Sequence, residues 1–206
     1  MKKTISIITG FIFLAGLFSF AGNADKTIEN LKEAFKGEST ASAKYAAYAE
    51  QAKKEGLVSV AIMFSATSKA EAIHAENHKT VLQKMGQKVD PVQPIFTVQT
   101  TLENLTDALK GETHEIATMY PGFIATAKSE DAKSAVKSFT WAMDTEKRHQ
   151  TFYKNAIEAL ANKNAGSLPK IYWVCPKCGN TFNIAKPTGE CGFCGTDPGK
   201  YIKFDK

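Results

Sequence analysis

No cysteine occurs before position 175, and the four in the chain all fall between Cys175 and Cys194. That clustering excludes a disulfide framework spread through the fold and leaves one local four-thiol device. Basic runs are absent too. The formal charge of +5 over 206 residues is mild and dispersed, which argues against nucleic acid as a partner. The apolar stretch Ile5–Phe20 is broken by Ser6, Thr9, Gly10, Gly16 and Ser19, and it is shorter than the ~20 residues of a membrane span. With Lys2 and Lys3 before it and small residues after it, the stretch reads as an export leader over residues 1–24, cleaved after Ala21 or Ala24. An uncleaved membrane anchor is the alternative. No twin arginine is present, and no cysteine near the cleavage point could take a lipid. Loss of residues 1–24 would remove two lysines and no acids, leaving 24 − 21 = +3. Hydrophobic content of 43% against 23% charged fits a soluble globular remainder.

Four stretches carry helical period. Ile28, Leu31, Phe35, Glu38, Ser42 and Tyr45 share a face in the first. Val60, Met63, Thr67, Glu71, His74, His78, Val81 and Met85 share one in the second. The third runs Leu102, Leu105, Leu109, Glu112, Glu115 (or Ile116) and Met119, and the fourth Ala135, Phe139, Ala142, Glu146, His149, Tyr153, Ala156 and Leu160. Pro91 and Pro94 forbid a helix between the second and third. Two helical hairpins joined by one long crossover match a ferritin-like four-helix bundle. The expected division is a bundle over 25–163, a linker over 164–169 and a small cysteine domain over 170–206.

The first and third helices open alike, ENLKEAFKGES against ENLTDALKGETHE. Glu38 and Glu71 are 33 residues apart, and Glu112 and Glu146 are 34 apart. Each half is therefore a Glu helix followed by a Glu-x-x-His helix, Glu71–His74 and Glu146–His149. The glutamates lie on the apolar stripes. Buried carboxylates are costly and mutually repulsive, and divalent cations offset both penalties. Glu and His at i and i+3 share a helix face and can reach one ion. A Glu from each of two helices with Glu-x-x-His from the other two is the donor set of di-iron carboxylate bundles. The mixed oxygen and imidazole set suits iron or manganese. Glu115 repeats the i, i+3 spacing after Glu112 and offers a further ligand. His78, one turn beyond His74, is expected at the surface or rim, with a place behind the metal ligands as the alternative, and His114 points away from its neighbouring glutamates. Tyr45 and Tyr120 fit either plain core or a hydrogen bond to a ligand carboxylate.

Cys175-x2-Cys178 and Cys191-x2-Cys194 form two knuckles for one tetrahedral ion, and the motif alone leaves iron and zinc open. Gly179 and Gly195 follow the knuckles and permit tight turns. Tyr172, Trp173, Phe182 and Phe193 would shield the ion.

GESTASAKY, Glu71-x-x-His74, GETHEIATMYP, Glu146-x-x-His149 and the cysteine pairs together resemble rubrerythrin, over roughly residues 26–198. The resemblance implies two non-haem irons held by Glu38, Glu71, Glu112, Glu115, Glu146 and His149, with His74 as well. Glu71 and Glu146 would bridge, Glu115 and His74 would exchange at one iron with redox state, and Tyr45 and Tyr120 would stand beside the cluster. The cysteines correspond to a rubredoxin-like iron site, which favours iron over zinc. The implied activity is reduction of hydrogen peroxide to water by a non-haem di-iron peroxidase, with electrons relayed through the cysteine-bound iron from an external redox protein or NAD(P)H-linked reductase. A head-to-tail homodimer is the usual assembly. An iron-handling ferroxidase with a structural zinc ribbon is the alternative. Cys-Gly-Phe-Cys in the second knuckle, where Cys-Pro is common, and the export leader depart from the family pattern.

Overall fold

The computed structural model describes residues 24–205, and the leader expected over 1–24 lies outside them except for Ala24. Helix α1 (Asp25–Lys54) and helix α2 (Val58–Lys84) form the first hairpin, turning at Gly56 with φ of 74°. Residues 85–100 cross the bundle without helix or strand. Thr100 then caps α3 (Thr101–His114) by a capping box with Glu103. This helix continues through a π turn, Glu115–Met119, into α4 (Tyr120–Ser129). Helix α5 (Lys133–Ala161) completes the second hairpin. Among the described residues no helix is long and apolar enough to cross a membrane.

The π turn has a local cause. Pro121 lacks an N–H, and its ring crowds the carbonyl four residues back, so a widened turn before it relieves the clash. The extra residue has a consequence for register. Tyr45 follows Glu38 by 7 residues and Tyr120 follows Glu112 by 8, yet both tyrosines point into the bundle.

The bundle has two apolar clusters with a polar layer between them. One gathers Tyr45, Tyr48, Phe64, Leu105 and Tyr153. The other gathers Leu31, Leu82, Tyr120, Ile124 and Phe139. Each of the four helical segments passes from one cluster to the other at its glutamate: Glu38, Glu71, Glu112 or Glu146. The fold thus gives up a continuous core to place four carboxylates at its centre.

After a short 3-10 turn, Ala165–Ser167, three strands make an antiparallel sheet in the order β2-β1-β3: β1 (Tyr172–Val174), β2 (Thr181–Phe182) and β3 (Ile202–Phe204). Trp173 pairs with Phe182, and Tyr172 with Phe204. This small module packs on α2 and α5 of the same chain.

Candidate metal centres

Glu38, Glu71, Glu112, Glu146, His74 and His149 are each 1% exposed or less and meet in the polar layer. Two overlapping groups have donor atoms within 4.8 Å of one another. One is Glu38, Glu71, His74 and Glu146, and the other is Glu71, Glu112, Glu146 and His149. Glu71 and Glu146 belong to both. His74 Nδ1 lies 2.8 Å from Glu146 Oε1, 3.0 Å from Glu71 Oε2 and 3.7 Å from Glu38 Oε1. His149 Nδ1 lies 2.7 Å from Glu146 Oε2 and 3.1 Å from Glu71 Oε1.

These contacts are short, yet none has hydrogen-bond geometry. Glu38 Oε2, both oxygens of Glu71 and of Glu146, Glu112 Oε2, His74 Nδ1 and His149 Nδ1 are all buried without a hydrogen-bond partner. Their lone pairs converge on shared points rather than on each other. Buried polar atoms are almost always satisfied, so such a concentration of orphans is what a pair of cations would account for. The residues fit a di-iron carboxylate site, with at least one carboxylate oxygen or imidazole nitrogen left open by each of the six.

The outer atoms of three of these side chains, Glu38, Glu112 and His149, are tied down. Tyr45 donates to Glu112 Oε1 at 2.9 Å, and Tyr120 donates to Glu38 Oε1. His149 Nε2 donates to Thr181 Oγ1 at 3.0 Å, because the Thr181 hydroxyl proton goes to the Gly179 carbonyl at 2.9 Å. That arrangement leaves Nδ1 as the metal-facing lone pair.

Protons fill the cations' electrostatic role when no metal is bound. Burial, reinforced by Glu146, raises Glu38 to about 7. Burial and the charges of Glu146 and Glu71 push Glu112 well up. Burial alone would lower His149, but Glu71 and Glu146 overcome it and hold the imidazolium to about 9. Glu146, despite burial, is held down at about 2 by His74 and His149.

Glu115 stands apart. It begins the π turn, is half-buried and belongs to neither donor group, although burial and the charges of Glu38, Glu146 and Glu71 push its pKa well up. The i, i+3 spacing predicted a shared face with Glu112; the helix widens only after Glu115, which stays close enough to Glu38, Glu146 and Glu71 to feel their charges. His114 is exposed, as expected. His78 corrects the rim expectation: it is fully buried, 3.2 Å from the Tyr120 oxygen and 2.8 Å from Ser138 Oγ. Ser138 escaped the sequence reading altogether.

The cysteine site is equally well formed. Four Sγ atoms lie within 4.8 Å of one another, three of the cysteines buried and Cys194 half-buried. Gly179 and Gly195 take φ of 81° and 67°, and their amides bond the Cys175 and Cys191 carbonyls. The Cys178 thiol and the amides of Lys177 and Cys178 hold the Cys175 thiol down at about 4, so it is ready to bind metal as thiolate. Trp173, Phe182 and Phe193 shield the site as expected, joined by Trp141 from α5. Tyr172 does not join them; it turns to the bundle and meets Phe152 edge-on at 5.3 Å between ring centres.

The module sits directly over the histidines. Gly179 has no side chain where a Cβ would come 2.3 Å from His74 Nε2, and Thr181 reaches His149. Asn77 Nδ2 bonds the Lys177 carbonyl at 3.0 Å, and Trp141 Nε1 bonds the Phe193 carbonyl at 3.1 Å. The Arg148 guanidinium lies over Phe182 and Phe193.

The rubrerythrin family model matches residues 29–157. The chain belongs to the rubrerythrin family. It is 31% identical to Rubrerythrin-2 of Clostridium acetobutylicum over 179 residues, 86% of this chain and 96% of that one. It is 33% identical to nigerythrin of Nitratidesulfovibrio vulgaris over 177 residues, 85% of this chain and 84% of that one. The solved structure of fully reduced, all-ferrous nigerythrin superposes with a TM-score of 0.78 at 30% identity, covering 86% of each chain. A bacterioferritin from Rhodobacter capsulatus, at 22% identity and TM-score 0.57, shares the bundle fold. Rubrerythrins are di-iron redox proteins of oxidative-stress defence, and the two donor sets found here fit that chemistry.

Proposed function

We propose that this rubrerythrin reduces hydrogen peroxide to water, with electrons arriving through the four-cysteine site. The observation that carries this reading is the docking of the cysteine module on the imidazole edges of the bundle, Gly179 against His74 and Thr181 against His149. A merely structural zinc ribbon has no need to touch the histidines. Two irons held by the six converging side chains would supply the two electrons that O–O cleavage requires, and an iron on Cys175, Cys178, Cys191 and Cys194 would replenish them singly. The balance is H2O2 + 2e⁻ + 2H⁺ → 2H2O.

The chain's own residues divide the work. Glu71 and Glu146, common to both donor groups, would bridge; Glu38, Glu112 and His149 would be terminal. Tyr120 and Tyr45 each occupy one oxygen of a terminal carboxylate and so orient the other inward. Glu115, beside the cluster on a wide turn, would exchange with His74. An external redox protein would deliver electrons at Cys194, the one half-exposed cysteine. The cysteine module contacts the bundle of its own chain, and a head-to-tail homodimer would be the assembly in which two chains work together. With a leader over 1–24 the reaction would run outside the cytoplasm, metals loading after export.

The test is metal content in protein purified from its own compartment, followed by anaerobic addition of peroxide to the reduced form. About three irons per chain are expected, with the bundle oxidised before the cysteine-bound iron. Zinc on the cysteines with iron in the bundle would sink the internal relay and leave the iron-handling ferroxidase.

A further inference from the structure

We propose that His78, backed by Ser138, is a positioning residue for one of the two metal ions, acting through Tyr120 on Glu38. The inference rests on the di-iron reading of the bundle. Ser138, His78, Tyr120 and Glu38 form a continuous hydrogen-bonded line in which no residue is more than 5% exposed.

The direction of every bond follows from the donor inventory. Tyr120 has one hydroxyl proton, and it goes to Glu38 Oε1. The phenol oxygen is then an acceptor towards His78, so His78 Nε2 carries the hydrogen. Nδ1 is left with its lone pair and takes the Ser138 hydroxyl proton at 2.8 Å. His78 is neutral, since burial, helped by His74, drives its pKa down to about 3. The result is a one-way chain from Ser138 to Glu38 Oε1. It leaves Glu38 Oε2, buried and without a hydrogen-bond partner, as the oxygen that meets the metal.

The other half of the duplicated bundle lacks this device. His78 lies four residues after His74; the position four after His149 is Tyr153. Tyr153 donates to Thr67 Oγ1 at 2.9 Å and presents only a ring edge to Tyr45. Tyr45 therefore holds Glu112 without a polar group behind it. The two terminal carboxylates are unequally fixed, and the ion on Glu38 has the more rigid ligand.

The full metal-free chain titrated anaerobically with Co(II) tests this. Thiolate-bound cobalt absorbs strongly in both the near ultraviolet and the visible, so one equivalent of Zn(II) first fills the cysteines and the weak visible bands of ions on the carboxylates and imidazoles are then read alone. His78→Leu should weaken one of the two bundle ions about tenfold and shift its visible band. His78→Gln, whose amide restores a donor towards Tyr120, should recover most of the loss. In a Tyr120→Phe background His78→Leu should cost nothing further. Wild-type binding in His78→Leu, or an undiminished loss in the Tyr120→Phe background, overturns the proposal. If His78→Leu does not fold, Ser138→Ala carries the test: a smaller loss at the same ion supports the line, and unchanged binding overturns it. A wild-type chain with no ion at the carboxylates removes the di-iron reading itself, whereas two well-bound ions indifferent to His78 remove only this inference.

Discussion

Gly179→Ala probes the contact between the two metal centres, and Gly195→Ala is its internal control. Both glycines follow the second cysteine of a knuckle with positive φ, 81° and 67°. An alanine at either costs about 1–2 kcal/mol for the left-handed backbone. Their surroundings differ. At Gly195 the added carbon comes no closer than 3.8 Å to Glu190 Oε2. At Gly179 it would lie 2.3 Å from His74 Nε2, 2.6 Å from Cδ2 and 3.2 Å from the Ala70 carbonyl. Retreat of the His74 ring would press it towards Glu38, Glu71 and Glu146 on its far side. Such an overlap adds about 1–3 kcal/mol. The excess over Gly195→Ala, a factor of roughly 5–150, acts on module docking or on His74 itself. The assay is electron transfer from the reduced cysteine site to the oxidised bundle after rapid mixing, with melting of each site followed by its own absorption. Gly179→Ala should slow transfer and leave the cysteine site's own spectrum unchanged; Gly195→Ala should leave transfer alone. Equal behaviour of the two variants would refute direct docking.

Glu71→Ala should abolish metal binding at the bundle, since Glu71 serves both donor groups, while metal analysis still finds one ion on the cysteines. Cys178→Ser should stop steady-state turnover with an external donor yet spare a single oxidation of prereduced protein by peroxide; surviving turnover would remove the relay. The metal-free chain should lose stability as pH rises from 7 to 9. His149, near 6.5 when unfolded, titrates at about 9 in the fold, so the folded state holds the extra proton in this window and the slope is negative. The share of this loss due to His149 has an upper limit of about 3 kcal/mol. Calorimetry should show this fall flattened once metal replaces the proton.

The ligand set was legible because two independent patterns coincide in it: helical period and internal duplication. Glutamate on four apolar stripes, in register, leaves little room for another reading. What escaped the sequence depended on contacts between elements. His78 shares the stripe of His74, but its partners come from α4 and α5, and Ser138 reads as one small polar residue among many. The π turn that opens at Glu115 follows from Pro121, whose effect on the turn upstream is not visible in helical period. Tyr172 sits beside the first cysteine knuckle in sequence, yet strand alternation turns it to the bundle and its neighbour Trp173 to the metal. Gly179 was legible as a turn residue, whereas its second role, making room for His74, needs the docked module.

Duplication makes a pair of metal positions, and the departures from symmetry make them unequal. At the carboxylate end, Glu38 is held by Tyr120, His78 and Ser138, while Glu112 has Tyr45 alone. At the imidazole end, His149 is fixed by a hydrogen bond to Thr181, whereas His74 Nε2 has no hydrogen-bond partner and faces Gly179. His74 is thus the less tethered imidazole, and it lies in the same donor group as the better-anchored Glu38. Glu115, the spare carboxylate, stands beside that group where, among the described residues, the bundle helices widen into a π turn. The proposed exchange of one ligand would need a fixed partner, a loosely held donor and a nearby replacement. The half containing Glu38, His74 and Glu115 has all three, and the half containing Glu112 and His149 has none of the slack.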